Sequence, residues 1–138
     1  MTSTATEIFY VDDSPDDRLF ARMSFERGGY PFTMKSFGTG FAAILDMNRR
    51  IARREKLPCL LVADHYMPIM DGPELLRLIR DNPAMADVVL AICSGGDDLA
   101  ERQAAAGAGA RHFLSKPLDL ALCAAIVLDD GETGPASG

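Results

Sequence analysis

Four short stretches carry side chains that can do polar chemistry together: Asp12-Asp13, Asp64, Cys93-Ser94 and Ser115-Lys116-Pro117. Each directly follows an apolar run, so a fold that aligns those runs brings the polar residues to one place. Three carboxylates within a few ångströms repel one another and raise each other's pKa unless a cation lies among them. A hard divalent ion, Mg²⁺ or Mn²⁺, takes a few carboxylate oxygens together with water and phosphate oxygens, and an acidic cluster at an open edge offers that. Asp13 and Asp64 are the expected direct ligands. Asp12 is expected to act directly or through water, and a backbone carbonyl of the loop after Asp64, that of Tyr66, to supply a further oxygen. His65 and His112 lack a matching set of ligand partners and are expected in exposed or packing roles.

With a cation in place, one carboxylate can act as nucleophile toward a phosphoryl group, and Asp64, ending the central apolar run, is the expected phosphoacceptor. The transferred group spreads negative charge over three oxygens, so the work is positioning and electrostatics. The ion takes one oxygen, the Lys116 ammonium a second, and the Ser94 hydroxyl with nearby amides the third.

The elements that must hold these residues follow from the apolar pattern. Short β-branched runs alternate with stretches of helical spacing that begin at a capping residue. Strands are expected at Ile8 to Val11, Phe32 to Phe37, Cys59 to Ala63, Val88 to Cys93 and His112 to Leu114. Helices are expected from Ser14-Pro15 to about Arg27, Thr39 to Glu55, Pro73 to Arg80, Asp97 to Ala106 and Asp119 to Leu128. In the second helix Phe41, Ile44, Leu45, Asn48 and Ala52 are expected near one face, and in the third Leu75, Leu76, Leu78 and Ile79 form a stripe. The fold class is α/β: a doubly wound, five-stranded parallel sheet covered on both faces. The ligand site of such a sheet lies beyond the carboxyl ends of its strands. One domain over 7–128 is expected, with an N-terminal extension over 1–6 and a flexible tail over 129–138.

At these positions the chain resembles a response-regulator receiver of the single-domain, chemotaxis type, over roughly Glu7 to Leu128. The matching pieces are V-D-D-S-P-D-D at Val11 to Asp17, D-H-Y-M-P-I-M-D-G at Asp64 to Gly72, C-S-G at Cys93 to Gly95, and G-A-R-H-F-L-S-K-P at Gly109 to Pro117. The resemblance implies the flavodoxin-like strand order 2-1-3-4-5, phosphotransfer to Asp64 from a phosphohistidine on a sensor histidine kinase, and then autodephosphorylation by water, with no external substrate turned over. It also implies a switch in which Ser94 moves toward the phosphoryl group and Phe113 changes rotamer beneath the α4-β5-α5 face, with Lys116 joining phosphate to that face. His65, Tyr66 and Gly96, at positions where the family varies, are expected to shape water access to the phosphoryl group. The V-D-D-S-P-D-D start and the long segment between the second and third strands resemble regulators that serve bacteriophytochrome kinases.

The formal charge of −6, from 20 acids against 14 Lys and Arg, points away from nucleic acid and anionic membranes. The basic run Arg49, Arg50, Arg53, Arg54 and Lys56 is expected to be a solvated helix end. Cys59, Cys93 and Cys123 fit neither a disulfide framework nor a zinc site and are expected as small core residues; no leader or spanning segment is visible, so the cytoplasm is the expected location. The last helix, Leu120 to Leu128, carries no charge on any face, and a symmetric homodimer through it is expected, with output through protein contacts.

Rival classes lack a feature each. A haloacid-dehalogenase-like phosphatase needs a second Asp two residues after its nucleophile, where Ser14 and Tyr66 stand instead. A flavodoxin-like binder would bring a flavin phosphate against Asp12, Asp13, Asp16 and Asp17. A pseudo-receiver usually loses the acceptor Asp, the acidic pair or the Lys, and all are present.

Overall fold

The computed structural model describes residues 6–133, with side chains described through 129. In chain order the elements are β1 (Glu7–Val11), α1 (Pro15–Gly28), β2 (Thr33–Phe37), α2 (Gly40–Arg53), β3 (Leu60–Asp64), α3 (Gly72–Arg80), a 3-10 turn (Pro83–Met85), β4 (Val89–Ser94), α4 (Leu99–Gly107), β5 (His112–Ser115) and α5 (Leu120–Thr133). All strand pairs are parallel, as the alternating pattern predicts, and they lie in the order β2-β1-β3-β4-β5 that the family resemblance implies.

The central strand β3 is buried along its whole length, so its apolar run has no polar face. Alternate residues feed two cores. Phe9, Val11, Leu61 and Ile92 pack with Ala43, Met47, Leu75, Ile79 and Ala105 of α2, α3 and α4. Ile8, Tyr10, Leu60, Val62 and Cys93 pack with Ala21 of α1 and Leu120, Cys123 and Ile126 of α5. Cys93 and Cys123 are buried, and Cys59 is half-buried with its thiol donating to the Glu7 carbonyl at 3.3 Å. Among the described residues no helix is long and apolar enough to cross a membrane.

Local chemistry sets the helix ends. Ser14 caps α1, accepting from the Asp17 amide at 3.2 Å, with Pro15 in the first turn and Gly29 left-handed (φ 60°) after the last. Asp71 and Glu74 form a reciprocal capping box on α3. Asp98 caps α4 through the Glu101 amide at 2.8 Å.

Three expectations change. The buried face of α2 is Gly40, Ala43, Asp46 and Met47, with Ile44 and Ile51 half-buried, and Phe41, Leu45, Asn48 and Ala52 are exposed. The cause is Asp46, held at 2.6 Å by Lys35 Nζ and at 2.7 Å by Arg50 Nε, which turns a carboxylate inward and two large apolar residues out. Arg50 therefore leaves the solvated run, while Arg49, Arg53, Arg54 and Lys56 stay exposed. In α3, Leu78 lies outside the buried stripe, exposed beside Phe41 and Ile69 around an open cleft of about 310 Å³. Finally, α5 passes through Gly131 to Thr133, taking in the first five residues of the expected tail; residues 134–138 and 1–5 of the expected terminal segments lie outside the described residues.

Candidate functional site

The carboxyl ends of β1, β3, β4 and β5 bring Asp12, Asp13, Asp64, Ser94 and Lys116 together. Asp12 follows the last residue of β1, and its amide still donates to the Phe37 carbonyl of β2 at 3.0 Å. Its side chain is fully buried: Oδ2 accepts from the Tyr10 hydroxyl at 2.5 Å and Oδ1 from the Ser14 amide at 3.0 Å. The Arg18 guanidinium braces the same residue, donating to its backbone carbonyl at 2.7 Å. Burial, then the bond to Asp12, push the Tyr10 phenol far above its ordinary value, so it remains a donor.

Asp64 ends β3 and its residue is 6% exposed. The loop after it is fixed by its backbone: the His65 amide donates to Cys93, the Gly72 amide closes back on the His65 carbonyl at 3.0 Å, and Met70 bonds Pro68 in a γ-turn about Ile69 (φ 73°). Gly72 is there because a Cβ would stand 2.4 Å from the Asp64 carbonyl oxygen.

One oxygen from each of Asp12, Asp13 and Asp64 lies within 4.8 Å of the others, with Asp13 exposed and the other two buried. Burial, then the Asp12 charge, push the Asp64 carboxyl up to about 6 although Lys116 pulls it down. The Lys116 ammonium is 3.1 Å from Asp64 Oδ1, 3.0 Å from Asp12 Oδ2 and 2.9 Å from Asp17 Oδ2. Burial opposes its charge, but bonds to Asp17, Asp12 and Asp64 outweigh that and hold its pKa above the ordinary lysine value. Three carboxylates thus share this ammonium, and Asp13 adds a fourth negative charge beside two of them. An all-oxygen, under-neutralised cluster with one open side fits a hard divalent cation such as Mg²⁺ or Mn²⁺.

Ser94 ends β4 and is buried, but its hydroxyl turns toward α4: it donates to Glu101 Oε1 at 2.8 Å and accepts from the Gly96 amide at 3.1 Å. The other oxygen of Glu101 accepts from the Tyr66 hydroxyl at 2.9 Å, which raises the Tyr66 pKa. Tyr66 is otherwise exposed, its ring tilted at 56° against a His65 ring 4.3 Å away that is buried with neither nitrogen hydrogen-bonded. His65 is thus a packing residue, not an exposed one. Phe113 is half-buried on β5 with the Arg102 guanidinium 4.7 Å above its ring, and its register partner Ile92 shares the α4-facing core. The β5 strand ends into a cis Lys116-Pro117 peptide.

Three residues of this site escaped the sequence reading. Asp17 lies inside a quoted motif, and its position in the first turn after the Ser14 cap was the available signal. Tyr10 carried the alternation of β1, which places its ring under the sheet but says nothing of its hydroxyl. Glu101, third after the Asp98 cap, would ordinarily turn back to the cap; instead it is 9% exposed and faces two loops.

Residues 8–127 match the response regulator receiver domain family. An uncharacterised 14.6 kDa protein in the sodA1 3′ region of Leptolyngbya boryana is 32% identical over 121 residues, covering 86% of this chain and 84% of that one. The response regulator MprA of Mycobacterium sp. (strain KMS) is 30% identical over 113 residues, and the match covers 82% of this chain but 45% of MprA. A CheY-like response regulator receiver domain protein of Methanospirillum hungatei JF-1 superposes with a TM-score of 0.77 at 18% identity, covering 95% of this chain and all of that one. The match over nearly the whole sheet, with an acidic pair, an acceptor-placed Asp, a Ser and a Lys at its strand ends, makes this chain a member of the response regulator receiver domain family.

Proposed function

We propose that the chain works as a phosphorylation switch whose Asp64 accepts a phosphoryl group from a phosphohistidine on a sensor histidine kinase. The observation that carries this is the Lys116 ammonium 3.1 Å from Asp64 Oδ1, beside acidic oxygens gathered within 4.8 Å. A carboxylate oxygen of Asp64 attacks phosphorus as the bond to the histidine nitrogen breaks, and that nitrogen keeps the electron pair. Asp12, Asp13, Asp64 and the Tyr66 carbonyl hold Mg²⁺ or Mn²⁺, which supplies charge neutralisation at the transferred oxygens. Lys116 follows the new negative charge, exchanging carboxylate partners for a phosphoryl oxygen, and Ser94 donates to another. Attack of water on the acyl phosphate returns the carboxylate and releases phosphate, with His65, Tyr66 and Gly96 governing its access; no external substrate is turned over.

The surface supports protein partners. On α1, Leu19, Phe20 and Met23 are exposed on the helix that starts at the site, a patch suited to an apolar helix of the kinase. A bacteriophytochrome is the first kinase to test, on the strength of the Val11 to Asp17 motif. Output uses the α4-β5-α5 face, and α5 turns Ala121, Leu122, Ala125 and Leu128 outward, a surface for a homodimer. The net charge of −6 disfavours nucleic acid and membrane partners and suits the cytoplasm. A monomer at micromolar concentration in both phosphorylation states, by light scattering, refutes the dimer.

The direct experiment is intact-protein mass after exposure to acetyl phosphate, with and without Mg²⁺, on the wild type and Asp64→Asn. A Mg²⁺-dependent gain of one phosphoryl group that the variant lacks is the expected result. No gain in the wild type reduces the chain to a phosphorylation-independent binding module.

A further inference from the structure

The Ser94 hydroxyl has one proton to donate, and Glu101 holds it at 2.8 Å. That is a charge-assisted bond in a buried place, stronger than a bond between neutral groups. For Ser94 to serve a phosphoryl group on Asp64, this bond must break, so Glu101 and the phosphoryl oxygens compete for one proton. The same carboxylate takes the Tyr66 hydroxyl at 2.9 Å, from the loop on the other side of the acceptor. Glu101 thereby ties both loops that flank Asp64 to the first turn of α4. The room it occupies is provided by Gly96, where a Cβ would stand 2.8 Å from Oε2 and 3.1 Å from Oε1.

We propose that Glu101 is a positioning residue that holds Ser94 in its resting place and so sets how readily the site accepts a phosphoryl group. This rests on the phosphorylation-switch reading above. With Glu101 in place, phosphorylation strips a buried carboxylate of one of its two donors. Without it, Ser94 exchanges only a weaker partner for the phosphoryl oxygen, and the phosphorylated arrangement forms more easily. The Tyr66 bond is the one Glu101 can keep when Ser94 leaves, which carries the change from Ser94 to the first turn of α4.

The test uses the full chain with Mg²⁺ and beryllofluoride, a phosphoryl mimic, and reads the half-saturating concentration by fluorine NMR. Four proteins are compared: wild type, Glu101→Ala, Ser94→Ala and the double variant. Glu101→Ala is expected to lower that concentration on the order of tenfold, the scale of a lost hydrogen bond to a charged group. In the Ser94→Ala background the shift should be lost, because there is no hydroxyl left to release. Gly96→Ala, which crowds the carboxylate off its place without altering its charge, should move the concentration the same way, and stands in for Glu101→Ala should that variant not fold.

An unchanged half-saturating concentration in Glu101→Ala or, failing its folding, Gly96→Ala overturns the inference. So does a shift of equal size with and without the Ser94 hydroxyl, which would assign the effect to charge alone. A wild type that takes neither beryllofluoride nor a phosphoryl group removes the switch reading itself, and the inference with it. A wild type that takes both, with no dependence on Glu101, removes only the inference.

Discussion

Two clusters of charge flank the same sheet, and they are built on opposite principles. Under α2, Glu7, Asp46, Lys35 and Arg50 form a chain of pairs, two acids against two bases, with Arg50 also lying over the Phe9 ring at 5.0 Å. At the carboxyl ends of the strands, Asp12, Asp17 and Asp64 share the Lys116 ammonium, and Asp13 stands beside Asp12 and Asp64. The balanced cluster holds Asp46 below the ordinary carboxylate range, because Lys35 and Arg50 outweigh its burial. The acidic cluster pushes Asp64 up to about 6. Burial alone therefore does not mark a site; burial without sufficient counter-charge does.

The largest test of this contrast is pH. A carboxyl at about 6 in the folded chain and 3.8 unfolded binds its proton more tightly when folded, so stability falls as pH rises through that window and is flat above it. The shift corresponds to roughly 3 kcal/mol at about 1.4 kcal/mol per pKa unit. Urea titrations in chelator from pH 4 to 7 should show the fall in wild type and its absence in Asp64→Asn. Identical profiles for the two proteins would mean that Asp64 carries no such burden.

Next in size is Lys116→Ala. It leaves buried Asp12 and Asp64 without their ammonium and should cost about 2 kcal/mol at pH 7 in chelator, most of it restored by Mg²⁺. A variant as stable as wild type would show that the cluster is neutralised in some other way.

These two clusters were not equally legible in the sequence. The acidic site was, because β-branched runs bounded by capping residues fix where each strand ends, and a parallel sheet carries all those ends to one edge. The balanced cluster was not. Its members sit at ordinary positions in β1, β2 and α2, and nothing in local periodicity says that Asp46 rather than Leu45 turns inward. Long-range pairing hid other residues too. Lys116 meets Asp17 across 99 positions, and Glu101 meets Ser94 and Tyr66 from three separate segments. The end of α5 was hidden for another reason: Gly131 reads as a stop, yet the helix continues to Thr133.

Asp46→Asn probes the balanced side. Its side chain is 11% exposed and holds two cations, so the substitution should destabilise by about 1.5 kcal/mol at neutral pH. The pH sign is opposite to that of Asp64: a carboxyl held down in the folded state contributes its stability above the unfolded value of 3.8 and loses it as pH falls below. Acid unfolding between pH 4 and 2 should be shallower in Asp46→Asn than in wild type.

The smallest effect is the sharpest test of sign. Asp13→Asn makes the same chemical change as Asp46→Asn, but it removes a charge from a cluster that has too many; Asp13 is among the groups that push Asp64 up. Because Asp13 is exposed, solvent screens it, and the gain in chelator should be only about 0.5 kcal/mol. Addition of Mg²⁺ should reverse the order. Wild type then gains stability from binding an ion that the variant holds poorly, so the two melting curves cross between the metal-free and metal-loaded conditions. Curves that keep their order in both conditions would mean that Asp13 either does not repel its neighbours or does not hold the ion, and the excess of negative charge would lose its link to function.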